Sequence, residues 1–315
     1  MKKMITMMFA LGIIVASGGA QAVTPLVDVD WVKSKIGKSG IVFLDVGGKL
    51  GGKSKANYLR GHIPGAVYTN YLKDGWRFKD KNNTVGQLSP TPKLEKLIGG
   101  LGIGNNDHVI LIPVGGKALD VGTAARIYWT FKVLGHDKVS ILNGGMKAYT
   151  KNVDKKTKKP INPIETGSVK PKMKNFKANL RRDMVISKTD VKKAMKKGDL
   201  LIDHRPNNQF LGVNKHGKSK RHGTIPGAIN LPENWLTKNG GGTFRSSGEL
   251  KNLYSVAKVP TTGAQISFCN SGHWASLGWF VSSEIIGNKD VKMYDGSMIE
   301  WSADKSLPIQ SILKR

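Results

Sequence analysis

The chain has 315 residues, 50 lysines and arginines against 22 aspartates and glutamates, a net charge of +28, and a single cysteine. Its length is that of two ordinary domains with enough apolar content for packed cores, and one cysteine excludes an internal disulfide. The charge attracts anions. No zinc spacing, RNA-binding signature or aromatic-basic stripe accompanies it, so small anionic substrates, an acidic protein partner or a lipid surface fit better than nucleic acid.

Residues 1–22 begin with Lys2 and Lys3, run apolar from Met4 to Ala16 and close on Ala20-Gln21-Ala22. This is the pattern of a secretory signal peptide cleaved after Ala22. The apolar run falls short of the roughly 20 residues a membrane span needs. The expectation is an exported, periplasmic protein with no integral membrane segment.

The predicted elements then come in two rounds. The first has a strand over 41–46 with Asp45 near its end, and a turn at Arg60-Gly-His-Ile-Pro-Gly-Ala66. It continues with a strand over 109–112, a helix over 119–134, and a strand over 139–142 ending in Asn-Gly-Gly-Met146. A segment rich in lysine and proline follows, from Lys151 past Pro160, Pro163 and Pro171, and reads as a surface linker. The second round has a strand over 200–203 leading into Asp203-His-Arg205, a turn at His222-Gly-Thr-Ile-Pro-Gly-Ala228, and a strand over 265–268. A helix over 275–286 and a strand over 291–294 ending in Asp-Gly-Ser-Met298 complete it. A repeat this long is a duplicated domain rather than a solenoid. Strand-helix alternation predicts an α/β fold: in each half, a parallel sheet with helices on both faces. The expected divisions are a signal at 1–22, a first domain at 23–164 and a second at 165–315.

Cys269 sits where the strand 265–268 ends. Residues Asn270, Ser271, Gly272, His273 and Trp274 are expected to form the turn before the helix. Ligands bind outside the carboxyl ends of strands in such sheets. A tight loop there presents backbone amides to an anion, and the helix N-terminus adds partial positive charge. Both favour the nucleophilic thiolate. His273 stands inside this turn as a candidate cation or donor toward the sulfur or an anionic substrate. Trp274 is expected at the loop rim.

With these motifs in order and twice over, the chain resembles the tandem-rhodanese sulfurtransferases, the thiosulfate and 3-mercaptopyruvate enzymes. The resemblance covers nearly all of the chain after residue 22. It implies two rhodanese-like domains and a catalytically silent first one, whose counterpart loop Pro113-Val-Gly-Gly-Lys117 has no cysteine. It implies that Cys269 takes a sulfane sulfur from a small anionic donor, becomes a persulfide, and gives the sulfur to cyanide or a thiol. Asp203, Arg205 and Asp295 are expected as structural support, and no metal or organic cofactor is implied. The sequence departs from the family in having Asn270 and Ser271 directly after the cysteine, where the thiosulfate enzymes carry cations. It has Gln209 where an arginine is frequent. The donor's cationic partner is therefore open among Lys215, Lys218, Lys220, Arg221 and the first half. Three other readings compete: a sulfur carrier that hands a persulfide to a protein partner, an inert cysteine, and a phosphatase. The last needs an arginine six residues after the cysteine, where Ala275 stands.

Overall fold

The structure, a computed structural model, describes residues 23–313. The expected signal peptide lies outside the described residues. In the first half the strands are β1 (Leu26–Val27), β2 (Ile41–Gly47), β3 (Val67–Asn70), β4 (Arg77–Lys79), β5 (Val85–Leu88), β6 (His108–Ile112) and β7 (Val139–Leu142). Its helices are α1 (Val29–Lys35), α2 (Lys55–Arg60), α3 (Thr91–Gly100), α4 (Ala118–Val133) and α5 (Gly145–Tyr149). The second half has β8 (Val185–Ile186), β9 (Leu200–Asp203), β10 (Ile229–Asn230), β11 (Gln265–Phe268) and β12 (Val291–Tyr294). Its helices are α6 (Lys188–Lys197), α7 (Asn207–Phe210), α8 (Ser247–Val256), α9 (His273–Phe280) and α10 (Ser297–Ala303).

The sheets run β1-β7-β6-β2-β3 and β8-β12-β11-β9-β10, so the two halves share one strand order. All pairings within these two sheets are parallel. Central strands are buried on both faces, which is why β6 reads as a short apolar run over residues 109–112; β11, also buried throughout, carries Gln265 and Ser267 as well. The first half adds an antiparallel hairpin of β4 and β5 before α3; at the same place in the second half, before α8, Thr237 and Phe244 form a shorter antiparallel bridge.

The repeat extends into the segment expected to be linker. His62 and Glu165 exchange backbone hydrogen bonds, as do Thr224 and Gln310. The Tyr149 hydroxyl donates to the Pro163 carbonyl, and the Trp301 indole to the Pro308 carbonyl. Residues 165–181 continue along the first half. Lys174 bonds to Gly99, Asn179 to Leu134 and Arg181 to Val133, and Phe176 is buried against Phe131 and His136. The expected boundary at 165 thus falls within a strap seated on the first half.

Helices α4 and α9 pack against each other and join the halves. The Tyr128 ring meets Phe280 edge-on at 4.8 Å, and its hydroxyl donates to Glu284 at 2.9 Å. One apolar core therefore continues through both halves, and the loops before these two helices both lie near the joint. Beyond α9 the chain continues as a π-helical segment over Val281–Ile286.

Candidate active site

Cys269 follows β11 directly and is 1% exposed. The start of α10 fixes it from below. The Cys269 amide donates to Ser297 Oγ at 3.1 Å, while the Met298 and Ile299 amides donate to the Cys269 and Asn270 carbonyls, each at 3.0 Å. The expected turn is shorter than the sequence suggests. Gly272, in the left-handed region at φ 75°, is the N-cap of α9, so His273 and Trp274 belong to the helix's first turn. A side chain at Gly272 would meet Arg126 Nη1 at 2.2 Å and Asp295 Oδ1 at 2.5 Å, which is why glycine stands there.

Two arginines of the first half hold the carbonyl side of this loop. Arg77, on β4, donates from Nη2 to the Ser271 carbonyl at 2.6 Å and to Ser271 Oγ at 3.1 Å. Arg126, fully buried in α4, donates from Nη1 to Asp295 Oδ1 at 2.6 Å and to the Gly272 carbonyl at 3.3 Å. The Leu88 amide takes the other Asp295 oxygen at 2.6 Å. Because a peptide's C=O and N–H point in opposite directions, pinning these carbonyls turns the Gly272 and His273 amides away from the arginines. Among the described residues, the amides of 270–274 have no acceptor. A row of unclaimed donors thus sits beside the thiol.

The first half shows what such a loop does when it is filled. Pro113 stands in the cysteine's place after β6. The amides of Gly115, Gly116 and Lys117 all donate to the Asp120 carboxylate, at 2.8, 2.8 and 2.7 Å. The same anion-binding loop exists in both halves, but here the chain's own side chain occupies it.

The other predicted residues take definite places. Asp203 and Arg205 form a buried ion pair through three contacts of 2.6 to 3.0 Å, with Thr224 and the Gly223 carbonyl completing it. In the first half, Asp45 pairs with Lys53 instead. Asp295 braces the loop by way of Arg126 and Leu88 rather than from within its own turn. His273 does not act as a cation on the sulfur. Its Nε2 is bonded to the Leu119 carbonyl at 2.9 Å and its Nδ1 to the Tyr71 hydroxyl at 3.1 Å. Burial, reinforced by Arg77, lowers its pKa to about 3, so it is a neutral tie between the halves. Asn270 donates to Gln209 at 2.8 Å. Arg221 spends its guanidinium on carbonyls of residues 301–307.

A cavity of about 110 Å³ lies over Cys269. The second half lines it with Asn270, Ser271, His273, Trp274 and His216, and the first half with Leu50, Arg77 and Leu119. The indole N–H of Trp274 is buried and has no hydrogen-bond partner among the described residues. His216 accepts the Lys218 amide at Nδ1, 3.2 Å away, leaving Nε2 as the N–H. Arg77, Arg126, Tyr71 and His216 are absent from the sequence expectation. Arg126, set between apolar residues in the middle of α4, was the one signal that could have marked any of them.

Comparison with known proteins agrees with this arrangement. The family model described as "Rhodanese-like domain" matches twice, over residues 28–152 and 187–304. A protein of Saccharopolyspora erythraea is 35% identical over 91% of this chain and 96% of its own length. One of Mycobacterium tuberculosis strain H37Rv is 33% identical over 90% of this chain and 97% of its own. Both are named "Putative thiosulfate sulfurtransferase". Among solved structures, the 3-mercaptopyruvate sulfurtransferase SseA of Escherichia coli superposes with a TM-score of 0.73 at 26% identity, covering 87% of this chain and 99% of that one. An anaerobic ergothioneine biosynthesis enzyme of Chlorobium limicola shares the fold, with a TM-score of 0.75 at 20% identity over 92% of this chain and 71% of that one. Two matched domains, the shared strand order and relatives that span nearly the whole chain lead to one conclusion: the chain belongs to the rhodanese-like family as a tandem pair of domains, and it is a sulfurtransferase.

Proposed function

We propose that the reaction runs through a persulfide on Cys269 and that thiosulfate is its better donor. The observation that carries this is the row of unclaimed amides beside a thiol at the foot of a small cavity. The Cys269 thiolate attacks the outer sulfur of thiosulfate. The sulfur–sulfur bond breaks, sulfite leaves with the bonding pair, and the new Cys269 persulfide is an anion in the place of the old one. Cyanide then takes the outer sulfur as thiocyanate and returns the thiolate. The amides of 270–274 meet negative charge throughout, as fixed dipoles that need no rearrangement.

The cavity is small, about 110 Å³, which favours the compact tetrahedral donor over the longer 3-mercaptopyruvate. Burial of the sulfur favours small acceptors over a protein partner, since a carrier would need its sulfur at the surface. The proposed setting is the periplasm, from the pattern of residues 1–22.

Intact mass after incubation with thiosulfate tests the proposal. The expected result is a gain of about one sulfur atom, removed by cyanide, absent in Cys269→Ser, and slower with 3-mercaptopyruvate. A Cys269→Ser variant that still turns over thiosulfate would sink it.

A further inference from the structure

Most of the cations at this site are already engaged. Arg126 is paired with Asp295, Arg221 holds carbonyls, and His273 is neutral. Lys215, Lys218 and Lys220 do not line the cavity over Cys269. One permanently charged side chain does line it, Arg77. Among the described residues it has no carboxylate partner. Its Nε donates to the Gly86 carbonyl at 3.1 Å and its Nη2 to Ser271, while Nη1 has no acceptor among the described residues. The guanidinium lies 5.3 Å from the centre of the Tyr71 ring, which fixes its plane.

The placement depends on the β4–β5 hairpin of the first half. Gly86 on β5 adopts φ 87°, and a side chain there would strike Arg77 Nη2 at 1.9 Å and the Ser271 carbonyl at 2.8 Å. The hairpin therefore approaches the loop closely enough to bring Arg77 to the cysteine. The second half offers no cation of its own here: Asn270 and Gln209 are bonded to each other.

We propose that Arg77, supplied by the catalytically silent half, is the residue that selects anions at Cys269 and binds the oxyanion end of the sulfur donor, the part that departs as sulfite. The identity of the donor rests on the function proposed above, whereas charge selection by Arg77 does not. A half-buried guanidinium in the wall of the cavity, with no carboxylate partner among the described residues, is screened less than the chain's many solvated lysines, so its effect there is larger than theirs.

The test uses the chain's single thiol and two reagents that alkylate it by the same displacement of iodide, iodoacetate and iodoacetamide. The first is an anion and the second is neutral. In the wild-type protein the ratio of the iodoacetate rate to the iodoacetamide rate is expected to exceed that of free cysteine. Arg77→Gln is expected to lower the ratio by about tenfold or more, and Arg77→Lys to keep it within about threefold of wild type. A residue that merely props Ser271 would change both rates together. An unchanged ratio in Arg77→Gln, whether or not both rates fall, overturns the proposal.

A second measurement needs no variant. Sulfate is expected to protect the wild-type thiol from iodoacetamide, and chloride at matched ionic strength is not. Equal protection by the two salts, or none, also overturns it. The two readings fail separately. No sulfur gain from thiosulfate with an intact alkylation ratio removes the donor and leaves Arg77's selectivity standing. Persulfide formation with a ratio indifferent to Arg77 does the reverse.

Discussion

At the scale of single residues, His273 shows how burial redirects a side chain that looks chemical. In sequence it stands four positions after the only cysteine. In the fold both ring nitrogens face the other half, and desolvation keeps the ring neutral. It shares that state with His204, which burial lowers to about 4 and which bonds the Leu231 carbonyl and Ser267. Both groups titrate at 6.5 when unfolded, so between about pH 6.5 and their native values the unfolded chain binds protons that the native one does not. Stability from them is full above 6.5 and is lost as pH falls. Glu233 opposes this, since burial raises its pKa from 4.5 to about 7, and its share is lost as pH rises through that range. The expected outcome is that His273→Gln flattens the fall of the thermal midpoint between pH 6.5 and 4 by a few degrees relative to wild type. Identical slopes in the two proteins would contradict the assignment.

At the scale of elements, the two loop-helix units are the informative pair. Both follow a central strand, both present amides, and both lead into a buried helix. They differ in what fills the loop, an internal carboxylate in one and open space beside a thiol in the other. Asp120 should therefore be a stability residue. Asp120→Ala leaves three amides without their acceptor and is expected to cost about 3 kcal/mol in urea unfolding, with little change in persulfide formation. A loss below about 1 kcal/mol would mean that water replaces the carboxylate at no penalty.

At the scale of the whole molecule, the active loop is assembled across the joint. Arg126 and Asp295 form a fully buried pair between the halves, and removing one charge leaves the other without compensation. Asp295→Ala is expected to lower stability by about 3–5 kcal/mol, and the double replacement Arg126→Leu/Asp295→Leu to recover most of that loss. Equal losses in the single and double variants would show that the pair is not what holds the halves together. The same joint explains the conservation of strand order without conservation of chemistry. The first half has no cysteine in its loop but carries Arg77 and Arg126, whose guanidinium groups hold the Ser271 and Gly272 carbonyls of its neighbour's loop.

The sequence alone determined the strands 41–46, 109–112, 139–142, 200–203, 265–268 and 291–294, the duplication, the position of Cys269 and the family. These are legible because apolar runs, Pro-Gly turns and motif order are local properties of the chain. Short edge strands such as β1, β8 and β10 escaped because two residues carry no periodicity, and the β4–β5 hairpin escaped because its strands are only three and four residues long and mix polar with apolar residues. The cation beside Cys269 and the neutrality of His273 were decided only by tertiary structure. Each depends on which groups meet across the α4–α9 joint and how much water they lose there, and neither is a property of spacing along the chain.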